Sequence, residues 1–242
     1  MKLSVNLNKI ALLRNARGEN YPNIEYFANK AIALGVDGLT LHPRPDHRHA
    51  TSNDVIKLSK LTKEKGVEFN IEGNPFSKPK NDFLGFCELV EIIKPDQITL
   101  VPDSIDQITS DHGWSSGKHD DDLIIVIKKL KEYSNSAPIS LFIDSIEGVE
   151  YAYEMGSSLI EIHTGEFSKA IETKNVKAVD DIVKIVKLAS KLNLSVNAGH
   201  DLNLNNLSYL VDIGNINEVS IGHAIIVLSL IHISEPTRHA SI

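Results

Sequence analysis

Eight times in 242 residues a short apolar run gives way to a longer stretch with helical periodicity, and this alternation constrains the fold more than any other feature. The runs lie at 3–7, 36–41, 67–71, 97–101, 139–143, 159–162, 194–196 and 219–221. Between them the spacing of apolar residues predicts a short helix around 10–13 that stops at Gly18, and a helix over 22–34 opened by Pro22 and closed by Gly35. A third helix, 51–65, has capping chemistry at Thr51-Ser52-Asn53-Asp54 and a stop at Gly66. A fourth starts at Asn81 or Asp82 and ends before Pro95, and others cover 123–133, 146–155, 176–192 and 204–211. Strands that alternate with helices form a parallel sheet, and eight such units in about 250 residues is the count for a (β/α)8 TIM barrel. A doubly wound sheet is the alternative, but no GxGxxG follows the first strand.

Composition narrows the function. A net charge of −7 argues against a general nucleic-acid or membrane-surface role, so an anionic ligand has to be held by local arginines and backbone amides. No segment approaches the ~20 apolar residues that span a bilayer, and the N-terminus lacks a signal-peptide pattern. A cytoplasmic protein with neither nucleic-acid nor membrane partners is expected. Cys87, the single cysteine, sits in an apolar helical pattern and reads as a core thiol.

In a TIM barrel the catalytic groups gather at the C-terminal ends of the strands. The second run opens into His42-Pro43-Arg44-Pro45-Asp46-His47-Arg48-His49, where two prolines stiffen a turn rich in imidazoles and guanidiniums. Such a turn is either acid–base chemistry beside an anion or a solvated polar loop. The other strand ends favour the first reading. Asn6 follows strand one, Glu72 strand three, Glu161 and His163 strand six, His200 strand seven, and Gly222-His223 strand eight; Thr109 lies in the long 102–120 loop after strand four. Taken singly, each has an ordinary structural explanation; their convergence on one face does not. Gly222-His223-Ala224 offers backbone amides at a helix start, and Gly199 can serve its neighbouring loop in the same way. Arg17, Arg44 and His49 can hold a second anion. His42, Glu72 and His200 are left for proton transfer, and Glu161 to stabilise a cationic intermediate or orient a histidine. Two anion sites beside a proton-transfer cluster imply two phosphorylated substrates or one bisphosphate.

Several blocks are long enough to be specific: residues 5–18 (VNLNKIALLRNARG), the His42-x-Arg44-x-Asp46-x-Arg48-His49 block, Phe142-Ile143-Asp144, residues 160–165 (IEIHTG), residues 196–200 (VNAGH) and residues 221–226 (IGHAII). In this order they are similar to the pyridoxine 5′-phosphate synthase family over residues 2 to about 226. The resemblance implies condensation of 1-deoxy-D-xylulose 5-phosphate with 3-amino-2-oxopropyl phosphate to pyridoxine 5′-phosphate, phosphate and water, in vitamin B6 biosynthesis, without metal or organic cofactor. It implies that His42 and Glu72 are general bases, that His200 is a general acid and that Glu161 supports the transition state. By the same resemblance Asn6, Arg17, Gly222 and His223 bind the aminoketone phosphate, and Arg44, His49 and Thr109 the sugar phosphate. Asn8, Lys9, Gly199 and Asp201 complete the expected substrate-binding set. Family members assemble as homo-oligomers, up to octamers, and the long 102–120 loop is the expected lid.

The chain departs from the family in two places. Asn8-Lys9 stands where many members have Asp-His, so Lys9 would meet a phosphate or hydroxyl as a point charge. After residue 226, where the family continues into its last barrel helix, residues 227–242 carry Pro236 and read as a foreign end. The expected catalytic domain is therefore 1–226, with the last barrel helix incomplete or replaced. Two rival readings follow. In one, His42, Glu72, Glu161 and His200 ligate a divalent metal; in the other, the altered C-terminus leaves a sugar-phosphate binder without turnover.

Overall fold

A computed structural model of the protein describes residues 1–104, 107, 110–117, 120–173 and 177–234. Its eight strands are β1 (Lys2–Asn6), β2 (Gly38–Leu41), β3 (Glu68–Gly73), β4 (Gln97–Leu100), β5 (Ile139–Ile143), β6 (Leu159–His163), β7 (Ser195–Gly199) and β8 (Glu218–Ile221). All pair in parallel with their sequence neighbours, and β8 closes on β1 to complete the expected barrel. Outside the sheet lie α1 (Asn8–Asn15), α2 (Ile24–Ala33), α3 (Ser52–Lys65), α4 (Phe86–Ile93), α5 (Asp120–Tyr133), α6 (Ile146–Glu154), α7 (Gly165–Glu172), α8 (Lys177–Lys191), α9 (Leu207–Ile213) and α10 (His223–Ser234).

The strands are not uniformly apolar, as strands buried on both faces usually are. They alternate. Leu39, Leu41, Phe69, Ile71, Ile98, Leu100, Ile160, Ile162, Val196 and Val219 are buried in the apolar layer between sheet and helices. The intervening residues are Ser4, Thr40, Asn70, Thr99, Ser140, Glu161, Asn197 and Glu218, all buried and polar. Hydrogen bonds place this polar set inside the barrel. Ser4 Oγ is 2.7 Å from Thr40 Oγ1, and Asn197 Nδ2 donates across the interior to Gln97 Oε1 at 3.1 Å. A core built this way stabilises through its outer, apolar shell, while its inner polar layer continues upward into the mouth.

Helix boundaries follow local capping. The Thr51 hydroxyl accepts from Asp54 N–H while the Asp54 carboxylate accepts from Thr51 N–H, and Gly66 closes α3 with φ 67°, as expected. α2 starts two residues after Pro22, because the Asn23 side chain accepts from Tyr26 N–H and forms the N-cap. α4 starts at Phe86, not at 81 or 82. Asn81 has φ 52°, and Lys80 and Phe83 exchange backbone hydrogen bonds in a tight turn. α9 begins at Leu207, three residues late: Asn203 Oδ1 accepts from Asn205 N–H and Asn206 Oδ1 from Asn203 N–H, so these side chains replace the first helical bonds. α7 is an element the periodicity did not predict.

The last helix also differs from expectation. α10 runs continuously from His223 to Ser234 and packs against α1, so the boundary expected at 226/227 falls inside a helix. Residues 227–233 contain no proline or glycine, and Pro236 lies just beyond the helix end. Positions 235–242 lie outside the described residues. Among the described residues, no helix is long and apolar enough to cross a membrane.

Candidate active site

A cavity of about 600 Å³ opens at the C-terminal ends of the strands. Among the residues that line it are Asn6, Asn8, Lys9, His42, Arg44, His49, Glu72, Glu161, His200, Asp201, Gly222 and His223. The structure therefore brings together nearly all of the expected set. Gly199 does not line the cavity and packs against Glu161. Arg17 is exposed and does not line the cavity; its neighbour Arg14 is the buried arginine, bonded to both oxygens of Asp54 at 2.6 and 2.7 Å. Thr109 lies outside the described residues.

His42 leaves the end of β2 with its backbone N–H donated to Asn8 Oδ1 at 2.9 Å, and Asn8 N–H in turn donates to Asn6 Oδ1 at 3.0 Å. The start of α1 thus fixes the height of His42 in the mouth. Its ring lies between two carboxylates: Nδ1 is 3.8 Å from Glu72 Oε2 and Nε2 is 3.8 Å from Asp103 Oδ2. Burial, reinforced chiefly by the positive charge of Arg44, holds its pKa well below the ordinary imidazole value. His42 is a neutral base at physiological pH.

Glu72 is pushed in the opposite direction. Burial and the nearby Asp103 carboxylate raise its pKa to about 7, against the opposing effects of Arg44 and of Asn6 Nδ2, which donates at 3.4 Å. A carboxyl poised there can both accept and return a proton. Glu161, also buried, is raised well above the carboxylate range by burial and by the charge of Glu72. Its hydrogen bonding agrees. Thr99 Oγ1 lies 3.2 Å from Asn70 Oδ1 and 3.3 Å from Glu161 Oε2. One hydroxyl proton serves one of these acceptors, and both contacts are satisfied when Glu161 carries a proton of its own. Gly199 is required here sterically, since a Cβ at this position would stand 2.4 Å from Glu161 Oε1.

The cationic side of the mouth is built by the β2 loop. Arg44 NH2 bonds the buried Asp103 carboxylate and NH1 donates to Gln107 O at 3.1 Å. Its Nε has no hydrogen-bond partner among the described residues, and neither does His49 Nδ1. Burial, then Arg44, Lys9 and Arg48, lower the His49 pKa to about 4, so the ring is neutral beside the guanidiniums. Asn15 Nδ2 donates to the carbonyls of His47 and His49 at 2.8 and 2.7 Å, tying this loop to α1. On the opposite side, Gly222 allows β8 to pass against β1, where a Cβ would lie 2.8 Å from Asn6 O. The first turn of α10 follows at once, so its free N–H groups face the cavity edge.

Sequence reading missed several residues. Asp103, buried between His42 and Arg44, follows strand β4 much as Glu72 ends β3, and the same strand-end rule finds it. Lys169 and Glu172 line the cavity from α7, which was not predicted. The expected lid is anchored in its described part: Trp114 Nε1 donates to Leu100 O at 2.9 Å, and Gly113 N–H to Asp144 Oδ2 at 2.9 Å. Cys87 is the buried core thiol expected, with its Sγ 3.4 Å from Pro75 O. Among the described residues, no three His, Cys, Asp or Glu side chains converge in a metal-ligating arrangement, so His42, Glu72, Glu161 and His200 do not form a ready-made cation site.

Comparison with known proteins agrees with this geometry. Solved barrels share the fold at low identity. Deoxyribose phosphate aldolase from Aeropyrum pernix aligns with a TM-score of 0.59 at 13% identity, covering 94% of this chain and 88% of its own. Thiamine phosphate pyrophosphorylase from Pyrococcus furiosus gives 0.57 at 14%, covering 91% and 85%. Curated relatives are much nearer in sequence. Pyridoxine 5′-phosphate synthase of Christiangramia forsetii is 44% identical over 227 residues, 93% of this chain and 91% of the relative. The enzyme of the same name from Xylella fastidiosa is 43% identical over 228 residues, covering 93% and 87%. The family model described as pyridoxal phosphate biosynthesis protein PdxJ matches residues 3–237, and the chain belongs to that family.

Proposed function

We propose that this protein is a pyridoxine 5′-phosphate synthase that condenses 1-deoxy-D-xylulose 5-phosphate with 3-amino-2-oxopropyl phosphate by acid–base catalysis. Family membership supports the reaction class. The observation that carries the reading is the pairing of His42, its pKa held well below the ordinary value, with a Glu72 poised near pH 7, 3.8 Å apart in one cavity. Arg44 and His49 would hold one phosphate, and Gly222, His223 and the first turn of α10 the other. Lys9, lining the same cavity, adds a further positive charge.

Joining an amine to a ketone releases water and forms an imine. Later steps remove protons from carbon, eliminate phosphate and water, and close the ring, with no net oxidation. His42 takes a proton from substrate and Glu72 relays it. His200 supplies protons to leaving oxygens, with Asp201 Oδ2 3.1 Å from its Nδ1. Glu161, protonated, supports the transition state without adding negative charge beside Glu72. These roles require no metal. Steady-state phosphate release with both substrates, compared with either alone, tests the reading. Release only with the pair is expected; release from a single substrate contradicts a condensation.

A further inference from the structure

The turn that presents His200 is unusual in its backbone. His200 and Asp201 are consecutive non-glycine residues with φ of 89° and 55°. Side chains rarely adopt this region, and here the surroundings hold both residues in it. Three buried polar side chains from other elements do so here. Thr164, between β6 and α7, places its hydroxyl 2.7 Å from Gly199 O and 2.5 Å from His200 O, while its N–H donates to Gly199 O at 2.9 Å. Ser168 Oγ, on α7, donates to Asp201 O at 3.1 Å. Asn206 Nδ2, just before α9, reaches both Asp201 O and Ser168 Oγ at 3.1 Å. All three residues are almost wholly buried.

The ring itself is set from the same side. His163, the last residue of β6, packs edge-to-face on His200 with centroids 4.6 Å apart, and backs onto Phe142 at 5.4 Å. Gly165 makes room for this stack: a Cβ there would lie 2.9 Å from the His163 ring and 3.6 Å from His200 Nδ1. α7 therefore has a use beyond filling space. It begins at that glycine and carries Ser168 one turn later.

We infer that Thr164, with Ser168 and Asn206 behind it, is a positioning residue for catalysis: it holds the 199–201 turn in its positive-φ form and so keeps the His200 imidazole in the cavity. The inference rests on the proposed synthase reading for its kinetic test, and on the backbone alone for its structural test. Removing the hydroxyl while keeping the shape, Thr164→Val, releases the His200 carbonyl. The turn then relaxes toward negative φ, which withdraws the ring from substrate without touching either phosphate seat.

The test compares wild type, Thr164→Val and Thr164→Ser in the synthase assay, with crystal structures of wild type and the valine variant. The expected result is a kcat lower by about 10²-fold in Thr164→Val, with KM for both substrates nearly unchanged, and recovery to within a few-fold in Thr164→Ser. His200 should show negative φ in the valine structure. An unchanged kcat, or an equal loss in valine and serine variants, overturns the inference. Should the valine variant fail to fold, Ser168→Ala is measured in its place, with the same kcat-selective loss expected and an unchanged kcat again contrary. Should wild type make no product, the synthase reading fails, and a His200 φ that stays positive in the valine structure overturns the positioning inference separately.

Discussion

Glu72→Gln should make the protein more stable and inactive at once. Burial and Asp103 lift the Glu72 pKa from 4.5 to about 7 in the folded state. The folded protein thus holds this proton more tightly than the unfolded chain does. The group's contribution to stability is intact below pH 4.5, shrinks as pH rises from 4.5 to 7, and stays lost above 7. A shift of that size corresponds to about 3 kcal/mol. Glutamine mimics the protonated carboxyl, still accepts from Asn6 Nδ2, and has nothing to ionise. At pH 8 the variant should exceed wild type by an amount of that order, or about 6–12 °C in melting temperature for a chain of this size. At pH 4.5 the two should coincide. Glu218, raised to about 8, is present in both proteins and cancels in the difference between the two curves; Glu161 is raised in part by the Glu72 charge, so the difference reports Glu72 together with its coupling to Glu161. Urea unfolding from pH 4.5 to 8.5, followed by circular dichroism, measures this difference. Parallel curves would refute the assignment of a raised pKa to Glu72, and with it the case for this residue as a two-way proton carrier.

Other expectations follow from single contacts. Gly199→Ala drives a Cβ to 2.4 Å from Glu161 Oε1, and a displacement of the acid by about 1 Å should cost about 10²-fold in kcat while the barrel stays folded by circular dichroism. Arg14→Ala strands the Asp54 carboxylate in a buried site and should destabilise by about 3–5 kcal/mol in denaturant titration. It should also loosen the His47–His49 loop through Asn15. Arg44→Lys replaces a fork with a point charge and should raise the KM for the sugar phosphate about tenfold or more with a smaller change in kcat; an unchanged KM would remove Arg44 from that phosphate.

The barrel was legible because its code is local. Each apolar run sits one turn or loop from a helix, and signals such as Thr51 with Asp54, Gly35 and Gly66 act within a few residues. Where the reading slipped, side chains competed with the backbone: Asn81 looks like a helix start but supports a turn, and the Asn203 and Asn206 side chains delay the start of α9 to Leu207. The candidate proton-transfer groups line one cavity and follow from one rule, strand ends facing a common mouth. That rule also placed Asn6, Gly199 and Gly222, although the two glycines are required by close contacts with Glu161 and Asn6 that no sequence pattern displays. Asp103 was passed over because it begins a loop. Arg17 is exposed, and sequence gives no sign that its neighbour Arg14 is the arginine that turns inward. The Thr164–Ser168–Asn206 clamp joins residues up to 42 positions apart in sequence, and only the folded chain brings them together.

The central claim is that a metal-independent pair, His42 and Glu72, drives condensation of two phosphorylated substrates. Its most direct test is mass-spectrometric detection of pyridoxine 5′-phosphate from both substrates in the presence of EDTA, with wild type and His42→Ala side by side. The account predicts product from wild type that survives EDTA and falls by about 10²–10⁴-fold in the variant. Product that vanishes with EDTA and returns with a divalent cation, or that persists undiminished in His42→Ala, would contradict it.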